Sequence, residues 1–134
     1  MVAFPKPVST AVTEGVRLTV SSQYLGDRSH PAANRYFFAY TVRITNESER
    51  RVQLVSRHWV ITHGDGEIEE VRGAGVVGEQ PQLGPGQSFE YTSGCMLATP
   101  RGTMHGSYQM IEAEGRELSV TIAPFGLEMP YSLH

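Results

Sequence analysis

The chain has 134 residues, 40% of them hydrophobic and 19% charged, with a formal net charge of −3 and a single cysteine. That length suits one core, the composition excludes disordered and fibrous classes, and one cysteine excludes an internal disulfide and a four-thiolate zinc site. No apolar run approaches the roughly 18–20 residues of a membrane helix, and Met1-Val2-Ala3-Phe4-Pro5-Lys6 lacks a signal-peptide layout, so a cytoplasmic setting without membrane contact is expected.

Taken from the N-terminus, Val16, Leu18 and Val20 alternate with polar residues at the period of two that a half-buried strand demands. Asp27 to Asn34 reads as a polar loop. Tyr36 to Thr45 then sets Phe38, Tyr40, Val42 and Ile44 on one face, in residue types that favour a pleated surface. After the turn Asn46 to Arg50, residues 52–62 form a strand or a bent strand pair with Trp59 and Ile61 on one face. Gly64-Asp65-Gly66 is a tight turn, and Glu67 to Arg72 a short, charged edge strand.

Residues 73–86 are rich in glycine and proline and are expected to be a structured loop or a set of turns. Alternation resumes over Ser88 to Thr92. Thr99 to Gly102 is a turn, Met104 to Ile111 a strand, and Leu118, Val120 and Ile122 the apolar face of a last strand. The pattern predicts an all-β domain, a fibronectin-III/immunoglobulin-like β-sandwich of about seven to eight antiparallel strands. One domain over 1–134 is expected, with its core at about 8–127 and peripheral tails over roughly 1–9 and 126–134.

Charge is unevenly spread: residues 1–64 stand at +4 and residues 65–134 at −7. In a sandwich such halves can face each other across strands. No Lys/Arg cluster interleaved with aromatics is present, so nucleic acid is not an expected partner.

Gly73-Ala74-Gly75-Val76-Val77-Gly78 matches the G-x-G-x-x-G loop of dinucleotide-binding proteins. The context fails, because the two prolines and three glycines of residues 78–86 prevent the helix whose N-terminus would meet a pyrophosphate. What survives is an anion nest of backbone N–H groups at Gly73, Gly75 and Gly78, with Arg72 adjoining and Arg101 as a further counter-charge. The competing reading is that these glycines only shape turns or a bulge.

His58 and His63, an odd number of residues apart, project to opposite faces of a straight strand and cannot share a metal ion. His63, Asp65 and Glu67 alternate, but Gly64 and Gly66 make a turn of that stretch, and no metal site is assigned. Ser93-Gly94-Cys95 lacks the elbow of a serine hydrolase, and Cys95 reads as a small buried hydrophobe. No acid–base pair is legible, so no enzyme is expected and no cofactor is assigned.

Four blocks in order, Arg57-His58-Trp59-Val60-Ile61-Thr62, Val71 to Pro81, Leu83-Gly84-Pro85-Gly86 and Tyr91-Thr92-Ser93-Gly94, resemble the signature of the ApaG family. Thr99-Pro100, Gly102-Thr103-Met104, Gly106-Ser107-Tyr108 and Met110 continue it, and the similarity runs from about residue 8 to about 127. The resemblance implies a fibronectin-III-like sandwich, found alone in bacteria and in adaptor settings in eukaryotes. It also implies a link to cobalt tolerance and magnesium handling, with no settled enzymatic activity and no catalytic residues to carry over. Two features depart from the family pattern: His63 stands where an acidic or amide residue is common, and the 27–34 loop varies.

The leading expectation is therefore a non-catalytic binding module that presents the 73–86 loop to a protein partner, with Val76, Val77, Pro81, Leu83 and Pro85 as contacts if exposed. The alternative is a small-ligand protein that takes a phosphate-bearing nucleotide or pyrophosphate, with or without a divalent metal, at loop 73–78. Free sheet edges also leave room for a homodimer.

Overall fold

The computed structural model describes residues 8–130. The expectation of peripheral tails at 1–7 and 131–134 lies outside the described residues. The strands are β1 Ser9–Thr13, β2 Val16–Tyr24, β3 Tyr36–Asn46, β4 Val52–His63, β5 Ile68–Ala74, β6 Gln82–Leu83, β7 Ser88–Leu97, β8 Arg101–Glu112 and β9 Glu117–Glu128. Two antiparallel sheets face each other, one in the order β1-β2-β3-β7 and the other β5-β4-β8-β9, with β6 also on the edge of β4. Among the described residues no helix is long and apolar enough to cross a membrane.

Alternation dictates the core. Val16, Leu18 and Val20 of β2 and Phe38, Tyr40, Val42 and Ile44 of β3 are buried, and they meet Trp59, Ile61, Tyr108, Val120 and Ile122 from the second sheet. Trp59 packs edge-on against Tyr108 and Phe125, with ring centroids 6.2 and 6.0 Å apart. Asn46, fully buried, pins the turn that follows β3: its Nδ2 donates to the carbonyls of Arg50 at 2.7 Å and Leu83 at 2.9 Å, while its Oδ1 accepts from Ser48.

Several boundaries differ from the sequence expectation. Residues 52–62 form one strand, bent by a bulge between Leu54 and Ser56, rather than a pair. Gly73 and Ala74 finish β5 and Gln82-Leu83 make β6, so the 73–86 stretch is partly strand. β9 continues to Glu128 and fully buries Leu127, which corrects the peripheral placement of 126–128. The unexpected β1 pairs with β2 through a two-residue turn at Glu14 and Gly15, both at positive φ.

Part of the charge asymmetry is met by pairs across the fold, with one pair, Arg116 with Glu14, running in the opposite sense. Arg43 faces Glu90 in register at 3.8 Å, Arg50 meets Glu112 at 3.4 Å, and Arg116 reaches Glu14 at 2.6 Å.

Candidate functional site

The two sheets meet differently on their two sides. On one side β1 packs beside β9, and Thr121 N–H donates to Thr13 Oγ1 at 3.1 Å while Ser22 Oγ donates to the Gly126 carbonyl at 3.0 Å. On the other side stand the edges of β5 and β7, and no main-chain ladder joins them. Two hollows of about 410 and 330 Å³ lie along this open seam and share Tyr40, Arg57 and Ser93. The larger is walled by Trp59, Ile61, Val71 and Met104 and ends at His63 and Glu69; the smaller ends at Val76, Val77 and Gly78.

Arg57 stands at the junction. On β4 it shares the inward alternation with Trp59 and Ile61, so its guanidinium enters the seam. Nη1 donates to the carbonyls of Ala74 at 3.0 Å and Gly75 at 2.9 Å. The group lies over Gly73, where a Cβ would come within 2.8 Å of Nη2. Glu69, the carboxylate lining the larger hollow, pairs with His63 at 3.4 Å instead.

The glycine motif has a different job at each position. Gly73 makes room for Arg57, and Gly75, at φ +61, lets its chain pass the Glu79 carbonyl, which a Cβ would meet at 2.3 Å. Val77 and Gly78, at φ 44 and 80, form the centre of a tight type I′ turn closed by Val76 and Glu79, each N–H donating to the other's carbonyl at 2.8 Å. The Gly75 N–H donates to Val55. Three of the loop's amide donors are thus engaged within the fold.

Arg72 sits on the outward face of β5 with Glu70, 3.6 Å away, and opposite His58, while Gly73 faces inward. Arg101 pairs with Glu128 and lies at the His63 end of β4, six residues and so roughly 20 Å of strand from Arg57. Arg72 thus lies on the face of β5 opposite to Gly73, and Arg101 lies at the far end of β4 from the turn that holds Gly75 and Gly78. Of the five apolar loop residues, Val76 and Leu83 are buried, Pro81 is half-buried, and Val77 and Pro85 are exposed.

His58 and His63 do lie on opposite faces: His58 bonds Glu70 at 2.7 Å outside, and His63 lines the seam. His63 Nδ1 accepts from the Ala98 N–H at 3.1 Å, tying the end of β7 to β4. Burial pushes the Cys95 thiol up to about 11, with Glu69 adding to the effect, which favours the protonated thiol at neutral pH. Beneath the smaller hollow the Tyr91 and Tyr108 hydroxyls share a hydrogen bond, and burial raises both above the ordinary phenol value.

The family model for the ApaG domain matches residues 26–112, more than half of the chain. The chain belongs to the ApaG family. A Methylobacterium sp. protein named ApaG is 54% identical over 121 residues, covering 90% of this chain and 93% of that one. Its counterpart in Anaeromyxobacter dehalogenans is 53% identical over 127 residues, covering 95% and 100%. A crystal structure of a Bordetella pertussis protein described as ApaA superposes with a TM-score of 0.84 at 50% identity, over 87% of this chain and 95% of that one.

Within this ApaG-family chain the residues that sequence reasoning did not assign to a binding site are Arg57, Tyr40 and Ser93. Arg57 had a signal: it falls on the apolar face of its own strand, two residues before Trp59 and four before Ile61. A cation at an inward strand position is rare enough to single out.

Proposed function

We propose that this ApaG-family chain is a non-catalytic, cytoplasmic binding module of one domain, and that its open seam receives a segment of a partner protein. The observation that carries this reading is Arg57. Its hydrogen bonds among the described residues go to two main-chain carbonyls, and the nearby carboxylate is engaged by His63. The half-buried guanidinium has no carboxylate partner among the described residues, and an incoming acidic group would give it a charge-assisted bond. The apolar walls beside it suit a side chain of a binding partner.

The strand orders β2-β3-β7 and β5-β4-β8-β9 support a fibronectin-III-like frame with β1 added, a rigid scaffold whose margins carry contacts. Among the described residues no three His, Cys, Asp or Glu side chains are placed to hold a metal ion.

The test is selection of a displayed library of random 12-residue peptides on the intact protein and on Ser93→Trp, which fills the space shared by the hollows. Peptides that bind the parent and lose about tenfold or more on the filled variant support the module. Equal binding to both, or no enrichment, overturns it. Pyrophosphate and adenine nucleotides form a second arm: micromolar affinity abolished by Arg72→Ala would replace the module with a phosphate-binding protein.

A further inference from the structure

The two free edges that border the seam are not equivalent. β5 carries Glu69, Glu70 and Arg72 within seven residues, and charge of this density discourages another strand from pairing. β7 runs ten residues with Glu90 as its one charged side chain and no proline. A long edge of low charge is the form of strand that accepts another chain.

The register identifies which main-chain groups of β7 face outward. Asn46 N–H donates to the Gln87 carbonyl, so even-numbered residues of β3 bond toward β7; the Phe37 carbonyl accepts from Leu25 N–H on the opposite side, as alternation requires. In the pairing of Thr45 with Ser88 through Phe37 with Met96, Ser88, Glu90, Thr92, Gly94 and Met96 therefore direct their N–H and C=O groups away from β3. Ala98, next in that series, gives its N–H to His63 and so closes the edge at one end. Among the described residues no hydrogen bond of these five outward N–H groups to another element is found.

We infer that a partner segment adds to β7 as a further strand, roofing the seam, and sets an acidic side chain against Arg57. This rests on the binding-module reading and specifies its chemistry. A strand laid along β7 projects alternate side chains inward, over Trp59, Ile61, Val71 and Cys95, which line the larger hollow. At the level of Ser93 the next inward position reaches Arg57, the shared corner of both hollows. The segment is thus extended, apolar at alternate positions on one face, with Asp or Glu where that face meets Arg57. Exposed Met96 on β7 gives the outward face of the added strand an apolar neighbour.

The experiment uses the tightest peptide from the random 12-residue library and the whole protein. Amide exchange by NMR reads the edge directly: the N–H groups of Glu90, Thr92, Gly94 and Met96 slow by about tenfold or more when peptide is bound, as new ladder bonds form. N-methylation at alternate peptide positions abolishes binding in one phase and not in the other. Replacing the peptide's acidic residue by its amide weakens binding about tenfold, and that loss vanishes in Arg57→Gln, whose fold is verified by its amide spectrum.

If peptide binds the seam but the four amides keep their exchange rates and both N-methyl phases bind equally, strand addition is wrong while the module stands. If Ser93→Trp binds every selected peptide as well as the parent does, the module itself falls. Should the acid-to-amide loss persist in Arg57→Gln, the assignment of the acidic residue to Arg57 is overturned.

Discussion

Along one side of the sandwich β1 lies against β9, tied by Thr13 to Thr121 and by Ser22 to Gly126, whereas along the other β5 and β7 stand apart with Arg57 between them. The closed side satisfies the main chain with short polar side chains and a charge cluster of Glu14, Arg116 and Glu112. Among the described residues the open side leaves β7 edge amides without main-chain partners and Arg57 without a carboxylate. The difference separates what holds the fold together from what the fold has available for a partner.

Truncating the closed side should cost most. Leu127 is fully buried on β9, so Leu127→Ala removes packing and leaves a cavity worth about 2–5 kcal/mol. Cys95→Ala, on the open side, should cost about 1 kcal/mol, because a small side chain at the margin leaves little void. Urea unfolding of both variants tests the contrast; equal losses would mean that the open side is as much a part of the core as the closed one.

Next in size is Tyr91→Phe. Tyr108 is fully buried, and removing its hydroxyl partner strands a polar group at a cost of about 1–3 kcal/mol. Tyr91→Phe combined with Tyr108→Phe should be more stable than the single variant, since no orphan remains. If the double variant is the weaker, water reaches Tyr108 through the smaller hollow and that end of the seam is wetter than its walls imply.

Most of the fold was legible because β2, β3, β8 and β9 each alternate apolar and polar residues, and that period admits one face inward. β1 was missed because it buries no large side chain: Val12 points to solvent, and Glu14-Gly15 is not the Asn-Gly sequence that advertises a type I′ hairpin. The seam was less legible. The glycine motif drew attention to itself, yet Gly73 matters as the floor beneath Arg57, a relation between β5 and β4 that no local pattern encodes. Tyr40 and Ser93 come together only through the β3–β7 register.

A smaller effect of opposite sign is expected at the tip of the glycine loop. Val77 is 54% exposed and holds φ +44, a region that a β-branched residue adopts at a cost and that Asn accepts readily. Val77→Asn should stabilise the protein by about 1 kcal/mol, read as a higher urea midpoint at unchanged slope. A gain in stability together with weaker peptide binding would show that the valine is retained for contact. A loss of stability would mean that its methyl groups pack more than their exposure suggests.

The smallest effect belongs to the closed side and depends on pH. Glu112 lies below its ordinary value of 4.5, first through the hydrogen bond from Arg116, with burial acting in the opposite direction. A depressed folded-state carboxylate contributes stability that is present above its unfolded value and lost as pH falls through the folded one. Arg116→Gln should therefore trail the parent at pH 7, and the gap should narrow as pH falls below the ordinary carboxylate range, where Glu112 takes up its proton in the parent as well. Glu47, held low by Arg17, remains in the variant and supplies the acid dependence that persists. A gap of constant size from neutral to acid pH would make the Arg116 contribution one of packing and would remove charge pairing from what closes that side.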